Sequence, residues 1–212
     1  MLTIANIMEH ACRMKSAGQQ ILELARTQGL IRSCDISAQG LPRVALTRLV
    51  RDGQLVRVDR GLYALPNRQS SEHSSLAEVA SKYPEGIICL LSALRVHELT
   101  TQSPFEVWLA IPHKGRAPKI DYPPLRIIRF SGKALTEGIE EHSVDGVTVK
   151  VSNVARTVAD CFKFRNKIGL DVALEALREA WDSKRASMDE LWRYATILRV
   201  ANIMRPYMES LS

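Results

Sequence analysis

No stretch of the 212-residue chain approaches the ~20 consecutive apolar residues that a membrane-crossing helix requires. The four cysteines, Cys12, Cys34, Cys89 and Cys161, form no CxxC pair and no Cys/His cluster. That argues against a zinc site and for reduced, mostly buried thiols. No glycine-rich phosphate loop follows a strand pattern, and neither HExxH nor a GxSxG or SxxK nucleophile motif occurs. Internal repeats and low-complexity segments are missing too. The first fifteen residues, MLTIANIMEHACRMK, carry Glu9 and His10 inside their apolar stretch and have no leading basic region. They are not expected to be a signal peptide; a helix, a partner arm or a ragged end all fit. These absences lead to an expectation of a cytoplasmic protein that is not an enzyme and uses no cofactor.

What the chain does have is a basic balance. Twenty-nine Lys and Arg against 23 Asp and Glu give a formal net charge of +6 and a pI of about 9.3. A polyanion is therefore the favoured partner, and the placement of the arginines matters more than their number. Hydrophobic residues at 46% and charged residues at 25% are an ordinary globular mixture, so cores can form.

From Ser16 onward the punctuation is legible. Ser16 fits an N-cap, Ile21, Leu22 and Ala25 form an apolar stripe, and Gly29 fits a helix stop. A second short helix is expected from Ser33, as its cap, to Gln39, with Gly40 ending it. A third, Pro42 to Asp52, begins with proline where a missing N–H costs nothing. At 100° per residue Leu46, Leu49 and Val50 share one face, and Val44, Thr47, Arg48 and Arg51 the opposite one. Arg43 flanks the amino end. Past Gly53, Leu55–Val58 and Leu62–Leu65 read as two strands around an Asp59-Arg60-Gly61 turn. Three short helices followed by a hairpin are the order of a winged helix-turn-helix.

Such a third helix has the format of a major-groove reader, with an apolar face for the domain and a basic one for DNA. Arg43, Arg48 and Arg51 suit guanine edges or phosphates, and Val44 and Thr47 suit a base edge or a thymine methyl. Arg57 suits phosphate, and Arg60 at the wing tip suits the minor groove. The plain alternative is a solvated charged face on an ordinary helix. Winged folds also serve as protein-binding modules, which leaves a second function class open.

A polar stretch, Pro66 to Glu72, separates this unit from a mixed second half. There Ile87–Leu99 reads as a buried helix, while Phe105–Ile111 and Leu125–Phe130 read as strands. Asp145-Gly146 reads as a hairpin turn. Helices are expected from Ser152 or Asn153 and from about Leu170. Another starts at the Ser187/Glu190 capping box, and Pro206 is expected to kink or end it. The fold class is thus α+β: an N-terminal winged helix-turn-helix, then a mixed α/β domain with a helical end. Residues 1–15 are read as an arm, 16–66 as the DNA-binding domain and 73–212 as the C-terminal domain.

The run LTRLVRDGQLVRVDRGLYALP, Leu46 to Pro66, resembles the N-terminal domain of AbiEi-type antitoxins of bacterial toxin–antitoxin operons. LLSALRVHEL, VWLAIP, LRIIRF and DGVTVKVSNVARTVADCF follow in that family's order, so the resemblance spans roughly residues 16 to 180. Val154 departs from it, because relatives often carry proline there. The resemblance implies a winged-helix autorepressor that binds inverted repeats in its own promoter and counters a nucleotidyltransferase-type toxin, typically without a tight complex. It carries the DNA-contacting role onto Arg43, Thr47, Arg48, Arg51 and Arg60, and antitoxicity onto the C-terminal domain. A monomer that binds DNA cooperatively fits such repeats.

Chemistry has few other candidates. Arg156 and Asp160 stand four apart and read as an ion pair on one helix face. A metal-dependent nuclease would need convergent carboxylates, and Asp145 with Lys150 lacks the second acid. His97-Glu98 is outside any HExxH, and His73, His113 and His142 have no ligand-spaced partner. The basic His113–Lys119 loop reads as solvated. Trp108, Trp181 and Trp192 are expected in a core or interface.

Overall fold

A computed structural model describes residues 16–67 and 72–211 of the chain. The expectations for residues 1–15 and for most of the polar linker lie outside the described residues. The chain divides into two compact units, Met1–Ser71 with Asp145–Val147, and Glu72–Val144 with Thr148–Ser212.

The first unit runs α1 (Ala17–Gln28), β1 (Leu30–Arg32), α2 (Ser33–Ala38), α3 (Arg43–Arg51), β2 (Val56–Asp59) and β3 (Leu62–Ala64). Ser16 starts α1 through a reciprocal capping box: its hydroxyl accepts from the Gln19 N–H while the Gln19 side chain accepts from the Ser16 N–H. Gly29 ends the helix at φ 72°. The next three residues form a strand that local sequence signals do not indicate. β1 pairs antiparallel with β3, Ile31 opposite Tyr63, and the sheet order is β1-β3-β2. Ser33 is consequently the first residue of α2 and not its cap; Arg32 holds the cap position, with no side-chain cap bond.

Pro42 likewise sits at the N-cap of α3 instead of inside its first turn. At the other end, Gly53 at φ 70° lets the Gln54 N–H return to the Leu49 carbonyl, which closes the helix as a Schellman motif. No neighbour crowds the position, so the demand for glycine there is one of backbone conformation. Ala45, Leu46 and Leu49 bury against Ile21, Ala25, Ile31, Ile36 and Leu55 in a single small core. Val50, expected on that face, is half-buried at its edge.

The second unit has a five-stranded sheet of order β6-β5-β4-β8-β7. Its elements are α4 (Ser74–Lys82), β4 (Ile87–Ile88), α5 (Leu90–Val96), β5 (Val107–Pro112), β6 (Leu125–Phe130), α6 (Lys133–Thr136), β7 (Ile139–Val144) and β8 (Val147–Ser152). They are followed by α7 (Val154–Lys163), α8 (Arg165–Ile168), α9 (Leu170–Asp182), α10 (Met188–Ile197) and α11 (Ala201–Glu209). The expected helix over Ile87–Leu99 is two elements. Ile87 and Ile88 pair antiparallel with β5 and parallel with β8, and Leu90 at φ 49° turns the chain into α5. Phe105 lies outside its expected strand and is 82% exposed. The Asp145-Gly146 turn has both residues at positive φ, the type I′ geometry that suits a tight hairpin. Pro206 neither kinks nor ends the helix begun at Ser187: α10 stops at Ile197, and Pro206 lies inside the separate α11.

Every residue of α7 from Val154 to Phe162 is buried, with α5, α9, α10 and α11 packed around it. A helix covered on all sides is the centre of this unit's core. Among the described residues no helix is long and apolar enough to cross a membrane.

Candidate nucleic-acid interface

α3 is amphipathic in the sense the sequence indicates. With Ala45, Leu46 and Leu49 buried, Arg43, Val44, Thr47, Arg48 and Arg51 all face solvent. Val44 is 61% exposed, a large apolar side chain with nothing of its own unit to cover it. The arginines differ in how they are held. Arg43 donates from Nε to the Ser37 hydroxyl at 2.7 Å, a bond from α3 to α2. Arg51 Nε is 3.5 Å from its neighbour Asp52, both well exposed. The Arg48 side chain makes no hydrogen bond or ion pair among the described residues. Arg48 and Arg51 also occupy the last turn of α3, where cations complement the helix dipole, so part of their presence has a local reason.

The wing is β2, β3 and the tip between them. Strand β2 is an edge strand with Val56, Arg57 and Val58 exposed, and its pairing with β3 is bulged between Arg57 and Asp59. Arg57 donates from Nε to the Asp59 carbonyl at 3.2 Å, which folds it back along the strand. Arg60 projects at the tip; its backbone N–H is held by the Asp59 carboxylate at 2.5 Å. The Gly61 carbonyl accepts from the Ser33 N–H at 2.9 Å, fixing the wing's root to the start of α2. Arg32 is spent on Asp35 through two bonds of 2.9 and 3.1 Å. The seven residues singled out for DNA contact, Arg43, Val44, Thr47, Arg48, Arg51, Arg57 and Arg60, are therefore all exposed on α3 and the wing of one unit.

The second unit's charged motif is structural. Arg156 and Asp160 are both buried, with Nε 3.5 Å from Oδ2, and Arg156 also donates to the Glu137 and Ala134 carbonyls. Neither Asp160 oxygen has a hydrogen-bond partner among the described residues. Burial pushes its carboxyl up to about 7, against the downward pull of Arg156 and Lys163. Cys89 and Cys161 are buried, and burial raises both thiols well above their ordinary range. Cys34, by contrast, is exposed on α2. Trp108 lies in the core and Trp192 is 39% exposed beneath the Arg205 guanidinium. The basic loop after β5 is tied to β6 by Arg129, which donates to the His113 and Gly115 carbonyls at 2.9 and 2.7 Å.

The fold also gathers residues that linear spacing keeps apart. Potential ligand atoms of His97, Glu140 and His142 lie within 4.8 Å of one another. The only local sign in the sequence is that Glu140 and His142 stand two apart in an alternating strand.

The fold of the whole chain is similar to the crystal structure of RV2827C protein from Mycobacterium tuberculosis, at a TM-score of 0.52 and 15% identity. That match covers 94% of this chain and 81% of the other. No curated protein matches the chain. The model of a family described as transcriptional regulator, AbiEi antitoxin, matches residues 19–66, a span holding the third helix and the wing of the winged unit.

Proposed function

We propose that the chain is a DNA-binding antitoxin that represses its own toxin–antitoxin operon. The observation that carries this reading is the exposed face of α3, where Arg43, Arg48 and Arg51 flank Val44 and Thr47 inside a unit matched by the antitoxin regulator family. In this reading α3 enters the major groove. Arg48, which is not engaged within its own unit, reads a guanine edge, and Thr47 and Val44 meet a neighbouring base or thymine methyl. Arg43 and Arg51 sit at the two ends of the helix and contact phosphate or base edges. The wing lies along the backbone through Arg57 and offers Arg60 to the minor groove.

Residues 16–66 supply this binding and residues 73–212 the antitoxicity, directed against a nucleotidyltransferase-type toxin encoded beside it, with no tight complex and no catalytic step of the chain's own. A single winged unit reads a short site, so two monomers bind an inverted repeat cooperatively. The protein acts in the cytoplasm, where its promoter is. A mobility-shift titration against the upstream promoter region tests the reading. A specific complex that sharpens with a second copy of the half-site is expected. Absence of any complex at low salt would overturn it.

A further inference from the structure

Three side chains of the second unit are unused by DNA binding. His97 is the C-cap of α5, and Glu140 and His142 lie on one face of edge strand β7. We propose that His97, Glu140 and His142 form a binding site for one divalent transition metal of the zinc class, with two imidazoles and one carboxylate joining the end of α5 to β7.

The dimensions fit. One potential ligand atom from each residue lies within 4.8 Å of the others, and His142 Nε2 is 3.5 Å from Glu140 Oε2. Ligand atoms of a tetrahedral zinc site, with bonds of about 2.0–2.1 Å, stand roughly 3.4 Å apart. The pair on β7 already has that spacing. Glu140 is exposed, so its carboxylate is free to close the remaining gap.

Two further observations separate this cluster from a chance meeting of polar groups. His97 shares a 2.6 Å hydrogen bond between Nε2 and the Ser152 carbonyl. A carbonyl only accepts, so the proton is on Nε2 and Nδ1 keeps the lone pair a metal needs. When a metal takes one ring nitrogen of a histidine, a backbone carbonyl on the other is the usual outer partner. Nε2 of His142, in turn, is sealed from solvent and has no hydrogen-bond partner among the described residues. A cation would satisfy it.

The backbone beneath His97 is fixed. Glu98, at φ 53°, lets the Leu99 N–H return to the Leu94 carbonyl, and Arg185 donates to the His97 carbonyl. One ligand is therefore held rigidly and two are presented on a strand, an arrangement that orders the site before the metal arrives. Three protein ligands leave a position for water. The buried Cys89 and Cys161 lie in the core around α7. The inference does not depend on the DNA-binding reading.

The test uses the full-length protein, freed of metal with a chelator. Zinc and cobalt chlorides are titrated by calorimetry, and cobalt also by visible absorption. We expect one equivalent of zinc to bind and to raise the melting temperature, and cobalt to give d–d bands without a thiolate charge-transfer band. In His142→Gln and in Glu140→Gln the affinity should fall roughly tenfold or more. As a check independent of folding of the variants, the wild-type imidazole nitrogen resonances of His97 and His142 should shift on adding zinc. The proposal is overturned by an absence of binding, by a thiolate band, by affinity unchanged in both variants, or by histidine resonances that do not move.

Discussion

Arg43 and Ser37 join the two helices of the helix-turn-helix: the guanidinium donates from Nε to the Ser37 hydroxyl at 2.7 Å. That hydroxyl in turn donates to the Ser33 carbonyl at 3.0 Å, so its lone pairs are oriented toward Arg43. Both residues are exposed, and the bond contributes little to folding. Its effect is to fix where one arginine of the α3 face points. Ser37→Ala should therefore change stability by no more than about 0.5 kcal/mol while weakening promoter binding severalfold. Fluorescence anisotropy beside a denaturant melt measures both; unchanged affinity would remove the positioning role.

Arg48 and Arg57 should behave differently from each other. Arg48 sits in the last turn of α3 with its side chain unengaged, so Arg48→Ala should flatten preference among operator variants by about 1–3 kcal/mol at one base position. Arg57 lies along the wing strand, folded onto the Asp59 carbonyl. Arg57→Ala should weaken all sequences alike and lower the salt slope by about one. Competition binding across a panel of single-base operator changes distinguishes the two patterns.

Leu46 is 2% exposed and packs in the winged unit's small core. Truncation to alanine removes buried methyl groups and leaves a cavity, so Leu46→Ala should cost about 2–5 kcal/mol. DNA binding should then be lost through unfolding of the reading unit, seen as a lowered denaturant midpoint.

Asp160 gives a pH signature. Its carboxyl is raised from 3.8 to about 7 in the folded protein, chiefly by burial. The folded state thus holds a proton that the unfolded chain releases. The associated stability is complete below the unfolded value, and it is lost as pH rises through the folded one. Asp160→Asn cannot ionise, so the stability difference between wild type and variant should shift against wild type on going from about pH 4 to about pH 8. Urea unfolding across that range measures it. A difference that does not vary with pH would contradict the protonated carboxyl.

Much of this architecture is written locally. The Ser16/Gln19 and Ser187/Glu190 boxes, Gly53 and Asp145-Gly146 act within a few residues, so their helix ends and turns are legible without knowledge of the tertiary fold. Strand β1 is not, because three residues become a strand only by pairing with Leu62–Ala64, about thirty positions away. Ile87-Ile88 fails for a related reason. A continuous apolar run has no period to distinguish strand from helix, and its partners are Leu109, Ala110, Lys150 and Val151. The exposed face of α3 follows from angular spacing alone, whereas the meeting of His97 with Glu140 and His142 depends on strand order. Arg156 illustrates a partial reading: its spacing to Asp160 is visible, but its bonds to the Glu137 and Ala134 carbonyls come from the fold.

The most direct test of the central claim is the salt dependence of promoter binding in wild type and in the Arg43→Ala, Arg48→Ala, Arg51→Ala triple variant. If α3 meets the DNA, log affinity should fall linearly with log salt in wild type. The slope should be shallower in the variant by up to about two, roughly 0.9 for each phosphate that Arg43 and Arg51 no longer neutralise, and loss of Arg48 should lower base preference. Identical slopes and affinities in the two proteins would contradict it.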